Sequence, residues 1–262
     1  MTDTWRFIDT GSCSASYNMA LDEAIATAVR KGYLPPTLRI YGWDVPSVSI
    51  GYFQKISDIN IDYCLEKGIT IVRRPTGGRA ILHNYEITYS FSSKTDLGFF
   101  SKGLLDSYKK ISNAFGLALS KVGFLPTLKL QREPHRDRSP LCFESTSYGE
   151  ITINGKKIIG SAQKRWPDGL LQQGPIPFLV DEEEITKVFN LRSSGIGKQF
   201  TGLKNILSEL NVESLKEAIR ISFEEAFDTS LVPSSPAPDE VSLAKEFETQ
   251  RYLSPQWEFR RF

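Results

Sequence analysis

The pair Asn154-Gly155, set between "EITI" and "KKII", constrains this chain more than any other feature. A two-residue type I′ hairpin turn needs positive φ at both central residues, and Asn-Gly accepts that most readily. Residues 149–163, "GEITINGKKIIGSAQ", therefore read as an antiparallel hairpin. Period-two alternation groups Lys157 with Thr152 and Ile159 on one face, and Lys156 with Ile151, Ile153 and Ile158 on the other. Parity alone leaves open which lysine points inward.

Around this hairpin the strands come in groups. "WRFIDT" reads as a strand, followed by a helix over "SYNMALDEAIATAVRKG", with Leu21, Ile25, Ala28 and Val29 on one face and Gly32 at its end. "TLRIYGW" and "SVSIGYFQ" are strands with a turn at Asp44-Val45-Pro46 between them. "INIDYCLEKG" is a short helix, and "ITIVRR", "EITYSFSS" and "GLLQQGPIPFLV" are strands. Leu104, Tyr108, Ile111, Phe115, Leu119 and Val122 mark a long amphipathic helix. The last third carries helical patterns in "ESLKEAIRISFEEAFD" and "DEVSLAKEFETQRY", separated by a linker-like "SLVPSSPAP". Helices that do not alternate strictly with strands predict an α+β fold, a mixed or antiparallel sheet flanked by helices. At 262 residues the expectation is one domain over 1–262, mainly helical from about 205 onward.

Charge narrows the function classes. With 32 basic and 31 acidic side chains the formal net charge is +1, which gives no reason to expect nucleic-acid or membrane-surface binding. No apolar run approaches the ~18 residues of a membrane span. The N-terminal "MTDTWRFIDTGS" lacks the charged and apolar regions of a signal peptide, so a cytoplasmic location is expected. Cys13, Cys64 and Cys142 are widely spaced and His83 and His135 are the only histidines, so no metal site is expected.

Two stretches carry candidate chemistry. In "RRPTGGRAILHNYEITYS", residues 73–90, Pro75 stops a strand and Gly77-Gly78 let backbone adopt positive φ or approach a ligand closely. Arg73, Arg74 and Arg79 offer charge for a phosphate, although there is no P-loop pattern and a plain turn with solvated arginines fits equally. Nothing in the sequence supplies an orienting carboxylate for His83, which reads as a hydrogen-bonding structural residue rather than an acid or base. In "PLCFESTSYGEI", Cys142 precedes the hairpin in a polar stretch. On its own it is either a small buried residue, as Cys13 and Cys64 are read, or a nucleophile. The polar "PHRDRSP" (134–140) upstream is expected to be a mobile loop.

These motifs resemble the lipoate–protein ligase and octanoyltransferase superfamily, in which RR-x-[ST]-GG-x-A-x-x-H recurs. "YNMALDEA" (17–24), the W-x-x-P-x-x-S-x-G-x-x-Q of 43–54, "GKKIIGSAQKR" and "FETQRYLSPQW" resemble its other segments in the right order, over nearly the whole chain. The resemblance implies the α+β catalytic fold shared with biotin protein ligases and class II aminoacyl-tRNA synthetases. It also implies a substrate-binding set of Arg73, Arg74, Thr76, Gly77, Gly78, His83, Gly160, Ser161 and Ala162. The spacing K-x-x-G-S-A selects Lys157 over Lys156.

Within the superfamily, Arg79 in place of a third Gly, and the C-F pair at Cys142, resemble LipM-type octanoyltransferases. That branch implies a catalytic Cys142 carrying the acyl group, a catalytic Lys157 beside it, and no cofactor. The implied donor is octanoyl-acyl carrier protein. The implied acceptor is a lipoyl-domain lysine, the glycine cleavage H protein first, and a monomer is expected. The competing reading is an ATP-dependent lipoate–protein ligase catalytic subunit, in which Cys142 is dispensable. One departure stands out: "LLQQGPI" has Gln173 where LipM-like sequences commonly have His, and Gln173 is expected to hydrogen-bond in its stead.

Overall fold

The computed structural model describes residues 3–129, 149–191 and 199–258; Cys142 and the 134–140 stretch lie outside them. The chain runs β1 (Asp3–Cys13), α1 (Ala15–Arg30), β2 (Thr37–Trp43), β3 (Ser47–Ile50), α2 (Ile61–Lys67), β4 (Thr70–Arg73), β5 (Ile81–His83) and β6 (Glu86–Lys94). It continues through α3 (Leu104–Lys121), β7 (Thr127–Lys129), β8 (Glu150–Ile153), β9 (Lys156–Ile159), β10 (Ala162–Arg165) and β11 (Gly169–Pro177). Then follow α4 (Glu182–Val188), α5 (Val212–Phe227), β12 (Thr229–Ser234), α6 (Pro238–Phe247), a π-turn at Glu248–Tyr252 and α7 (Pro255–Glu258). A six-stranded mixed sheet has the order β10-β11-β6-β2-β1-β12, and two three-stranded sheets have the orders β4-β3-β5 and β7-β8-β9. The fold is α+β, as the strand grouping predicted.

Period-two alternation sorts the large sheet into two unlike faces. Trp5, Leu38, Ile40, Ile87, Tyr89 and Phe91 pack against α3 and α5 through Ile111, Phe115, Ile219, Phe223 and Phe227. The alternate residues Arg39, Tyr41, Thr88 and Ser90 are buried too, and Arg39, Tyr41 and Ser90 bond α1, so a polar layer lies beneath that helix. Burying this many polar groups is tolerable only because each is hydrogen-bonded. On α1, Asn18 and Asp22 are four residues apart, one turn of the same face. Arg39 donates to both side chains, at 2.6 Å and 2.7 Å, and Asp22 also accepts from Tyr41, Ser90 and Gln173.

One local expectation is met and another corrected. The strands "TLRIYGW" and "SVSI" flank a turn but do not pair: β2 lies between β1 and β6, whereas β3 lies between β4 and β5. The "linker-like" 230–238 stretch begins as strand, since β12 pairs in parallel with β1 from Asp3↔Thr229 to Ile8↔Ser234. Its Pro233 is tolerated because β12 is an edge strand, where a missing N–H faces no neighbour. No helix of the described residues is long and apolar enough to cross a membrane.

Candidate active site

The hairpin forms where Asn154-Gly155 predicted it, with Asn154 at φ 52° and Gly155 at φ 76°. Ile153 pairs with Lys156 and Thr152 with Lys157, but Ile151 then pairs with Ile159, so Ile158 is an extra residue in β9. This bulge corrects the facial grouping: Ile159 falls with Ile151, not with Thr152 and Lys157. The gain is that both Ile158 and Ile159 enter the core with Ile151 and Ile153.

Lys157 is the buried lysine, at 0% exposure, while Lys156 is half-buried. Its ammonium pairs with the carboxylate of Glu150, itself only 3% exposed. On the backbone, Lys157 N–H donates to Gln199 O (2.8 Å) and Lys157 O accepts from Thr201 N–H (3.2 Å). The residue is therefore fixed at both main chain and side chain. Glu150 escaped the sequence reading, yet a signal was present. It sits two residues before Thr152 in the same strand, hence on the face that Lys157 shares.

Beyond β9 the chain passes Gly160, Ser161 and Ala162. Ser161 Oγ lies 2.5 Å from Tyr89 OH, and its carbonyl accepts from Tyr108 OH. Burial pushes the Tyr89 phenol up to about 12, against the hydrogen bonds from Gln172 and Ser161 that lower it. Tyr89 also accepts from Gln172 Nε2 (2.9 Å), so the phenol ties the turn to β11. The absence of a side chain at Gly174 lets this turn sit against β11; a Cβ there would meet Gly160 O at 2.4 Å.

The Gly-rich loop comes to the same place. A Cβ built on Gly78, which has φ 84°, would lie 3.5 Å from Ala162 Cβ. On the other side Gly51 is needed because its own Cβ would fall 1.9 Å from Gly78 O. Thr76 donates to Gln173 Oε1 (2.9 Å), whose Nε2 donates to Asp22 (2.6 Å). Gln173 is thus the expected hydrogen-bonding residue, joining the loop to the polar layer under α1.

The two arginines are buried and committed to carbonyls. Arg74 donates to Ser49 O, Gly77 O and Arg79 O at 2.6–3.1 Å. Arg73 lies among the carbonyls of Gly51, Tyr52 and Gln54 and exchanges bonds with Trp257 in both directions, at 2.9 Å and 3.0 Å. His83 does have an orienting carboxylate, contrary to the sequence reading. Glu86 Oε1 is 2.8 Å from Nδ1, Ser49 Oγ is 2.7 Å from Nε2, and the ring stacks on Trp43 with centroids 4.0 Å apart. The short break between β5 and β6, with Tyr85 at φ 52°, returns Glu86 to the histidine three residues before it.

Arg74, His83, Ser161 and Ala162 line one narrow, partly open cavity of about 20 Å³ with Met19, Tyr41, Trp43, Ile81, Gln173 and Pro175 among its other walls. Its surface is mostly apolar, with polar groups entering at a few points, the usual character of a small-molecule site. Cys64 is buried away from this cavity, and burial pushes its thiol up to about 11, which leaves it inert at neutral pH. Among the described residues no cluster of His, Cys, Asp and Glu is suited to a metal ion.

Comparisons with known proteins agree with this geometry. The family model of the lipoyl protein ligase A/B catalytic domain matches residues 14–224. An octanoyltransferase LipM of Halalkalibacterium halodurans is 34% identical over 99% of this chain and all of that protein. One of Carboxydothermus hydrogenoformans is 35% identical over 98% of this chain and 99% of the other. Among solved structures, lipoate-protein ligase A bound with ATP has a TM-score of 0.83 at 21% identity, covering 99% of both chains. A bi-partite lipoate protein ligase from Thermoplasma acidophilum, studied with its E2 lipoyl domain, has a TM-score of 0.81 at 21% identity, covering 98% of this chain and 96% of that one. The structural likeness speaks for the fold; the full-length sequence likeness goes further, and this chain belongs to the lipoyl protein ligase A/B catalytic-domain family, among its LipM octanoyltransferases.

Proposed function

We propose that this octanoyltransferase acts in protein lipoylation by a ping-pong route, from octanoyl-acyl carrier protein to a lysine of a lipoyl domain, through a thioester on Cys142. The observation that carries the reading is the buried Lys157–Glu150 pair, set immediately before the Gly160-Ser161-Ala162 turn that reaches the cavity wall. A lysine is rarely fully buried, and one held in a fixed position beside a site is suited to moving protons.

In the first half-reaction the Lys157 ammonium lowers the pKa of Cys142 and favours its thiolate, which attacks the donor's thioester carbonyl. The carbon–sulfur bond to the carrier breaks, and the departing thiolate takes the proton from Lys157. In the second, the acceptor amine attacks the Cys142 thioester, Lys157 accepts the amine proton, and an amide forms as the Cys142 thiolate leaves. Glu150 keeps the lysine in place throughout. Amide formation from a thioester runs downhill, so no nucleotide is consumed. The octanoyl chain enters at the largely apolar cavity between Met19, Trp43, Ile81 and Pro175, whose side chains move apart to admit it. Backbone N–H groups of Gly77-Gly78 or Gly160-Ser161 face the developing oxyanion. The glycine cleavage H protein is the acceptor to try first.

Intact-protein mass spectrometry after mixing with octanoyl-acyl carrier protein, without ATP, tests the route. The expected result is an octanoyl adduct on the wild type, none on Cys142→Ser, and discharge of the adduct by a lipoyl domain. Modification of the lipoyl domain only when ATP and free octanoate are supplied, with Cys142→Ser unimpaired, would make the chain a ligase.

A further inference from the structure

The hydrogen bonds around His83 join into a chain with a feature that individual distances do not display. Arg74 Nη1 is 3.0 Å from Ser49 Oγ, Ser49 Oγ is 2.7 Å from His83 Nε2, and His83 Nδ1 is 2.8 Å from Glu86 Oε1. From the other side Trp43 Nε1 is 2.9 Å from Thr88 Oγ1, which is 2.6 Å from the same Glu86 oxygen. Ser49, His83, Thr88 and Glu86 are all buried, so no solvent decides their proton positions.

Both ends of the chain are donor-only groups. A guanidinium and an indole N–H can donate but never accept. Ser49 Oγ must therefore accept from Arg74, which leaves its single proton for His83 Nε2. His83 Nε2 must then accept, so the ring proton is on Nδ1 and goes to Glu86. By the same logic Thr88 accepts from Trp43 and donates to Glu86. Every proton in the chain points at Glu86, the one group in it that only accepts.

We infer that His83 is a positioning residue, locked as the neutral Nδ1–H tautomer, through which Glu86 orders Ser49 and Arg74 and so fixes the Gly-rich loop. The far end of the chain is functional geometry. The other donors of Arg74 hold Gly77 O and Arg79 O, the carbonyls on either side of Gly78. A proton on Nε2 would leave Ser49 facing two donors, with no acceptor for its own hydroxyl among its described partners. The loop would then lose one of its anchors, while the Asp22–Gln173–Thr76 arm remains. That arm also shows what a substitute needs: Gln173 donates with one amide atom and accepts with the other, the polarity assigned to His83.

Two experiments test this, and the first does not depend on the reaction assigned above. Long-range proton–nitrogen NMR of the 15N-histidine-labelled wild type at neutral pH reads which ring nitrogen bears the proton. Protonation at Nδ1 alone is expected; an Nε2-protonated or doubly protonated His83 overturns the inference. The second rests on the acyl-transfer reading. His83→Phe and Ser49→Ala are expected to lower kcat/KM by about 100-fold, the scale of a misplaced binding element, with His83→Gln recovering most of the loss. Full activity in folded His83→Phe, or no rescue by folded His83→Gln, would show that the chain does not order the loop.

Discussion

The two halves of the site are built on opposite principles. The lysine hairpin is largely local: one Asn-Gly turn sets its path and an ion pair between residues seven apart holds its reactive group, with backbone bonds to Gln199 and Thr201 bracing its second strand. The Gly-rich loop is assembled from afar, by Asp22 of α1, Gln173 of β11, Ser49 of β3 and Trp257 of α7. A local element keeps its shape when distant contacts are lost but depends heavily on its few internal bonds. A long-range element spreads its support over many small contributions and fails gradually. The hairpin is therefore where single substitutions act most sharply on chemistry, and the loop is where they act on fit.

The largest expected effect breaks the Lys157–Glu150 ion pair. Lys157→Met should lower transfer by roughly 10²–10⁴-fold and stability by about 3–5 kcal/mol, because the buried Glu150 carboxylate loses its ammonium partner. The double variant Lys157→Met/Glu150→Leu separates the two. Urea unfolding should recover most of the stability while transfer stays lost, since a buried pair can be replaced by apolar groups at little cost. Transfer returning with stability would mean that Lys157 is structural.

Next in size is the joint between the halves, Tyr89. Its phenol stays protonated in the folded chain up to about pH 12, whereas an unfolded tyrosine ionises near pH ~10. Between those values the native state binds more protons than the unfolded one, so stability must fall as pH rises. The contribution amounts to at most about 2–3 kcal/mol. Below pH ~10 both states are neutral and Tyr89 adds no slope. Denaturant melts at pH 9 and 11 should show a smaller alkaline loss for Tyr89→Phe than for wild type.

The loop's distributed support predicts milder losses. Gln173→Ala should cost about 1–3 kcal/mol through the lost acceptor of Thr76 and one lost donor to Asp22, whereas Gln173→His, able to donate and accept, should retain most of it. Equal losses in thermal unfolding would show that hydrogen-bond polarity there is irrelevant. Smallest of all, Lys156→Ala should change stability by no more than about 0.5 kcal/mol and leave transfer intact. A large loss of transfer would move the catalytic assignment to the wrong face of the hairpin.

What the sequence disclosed follows the same division. The hairpin and its turn were legible because type I′ geometry acts over a few residues, whereas parity left both lysines open and only the K-x-x-G-S-A spacing selected Lys157. The bulge at Ile158 was not, since only the core's demand for both Ile158 and Ile159 calls for it. Glu150 was legible in principle, by parity with Thr152. Glu86 was close to His83 in sequence, but its return to the ring depends on the backbone at Tyr85. The Asp22–Arg39 pair joins residues 17 apart and is a property of the assembled sheet. Pro233 made β12 read as a linker because composition carries no information about which strand will lie at an edge.

The reciprocal bonds between Arg73 and Trp257 join residues 184 apart. For a chain made from its N-terminus, this sets an order of events. The Gly-rich loop emerges first, yet one of its bracing arginines meets its Trp257 partner only after a further 184 residues have been translated. Such distant closures come late in folding, because loop entropy must be overcome before they are rewarded. Competence should therefore lag behind compaction during refolding: tryptophan burial and sheet formation come first, and acyl acceptance follows with the docking of α7.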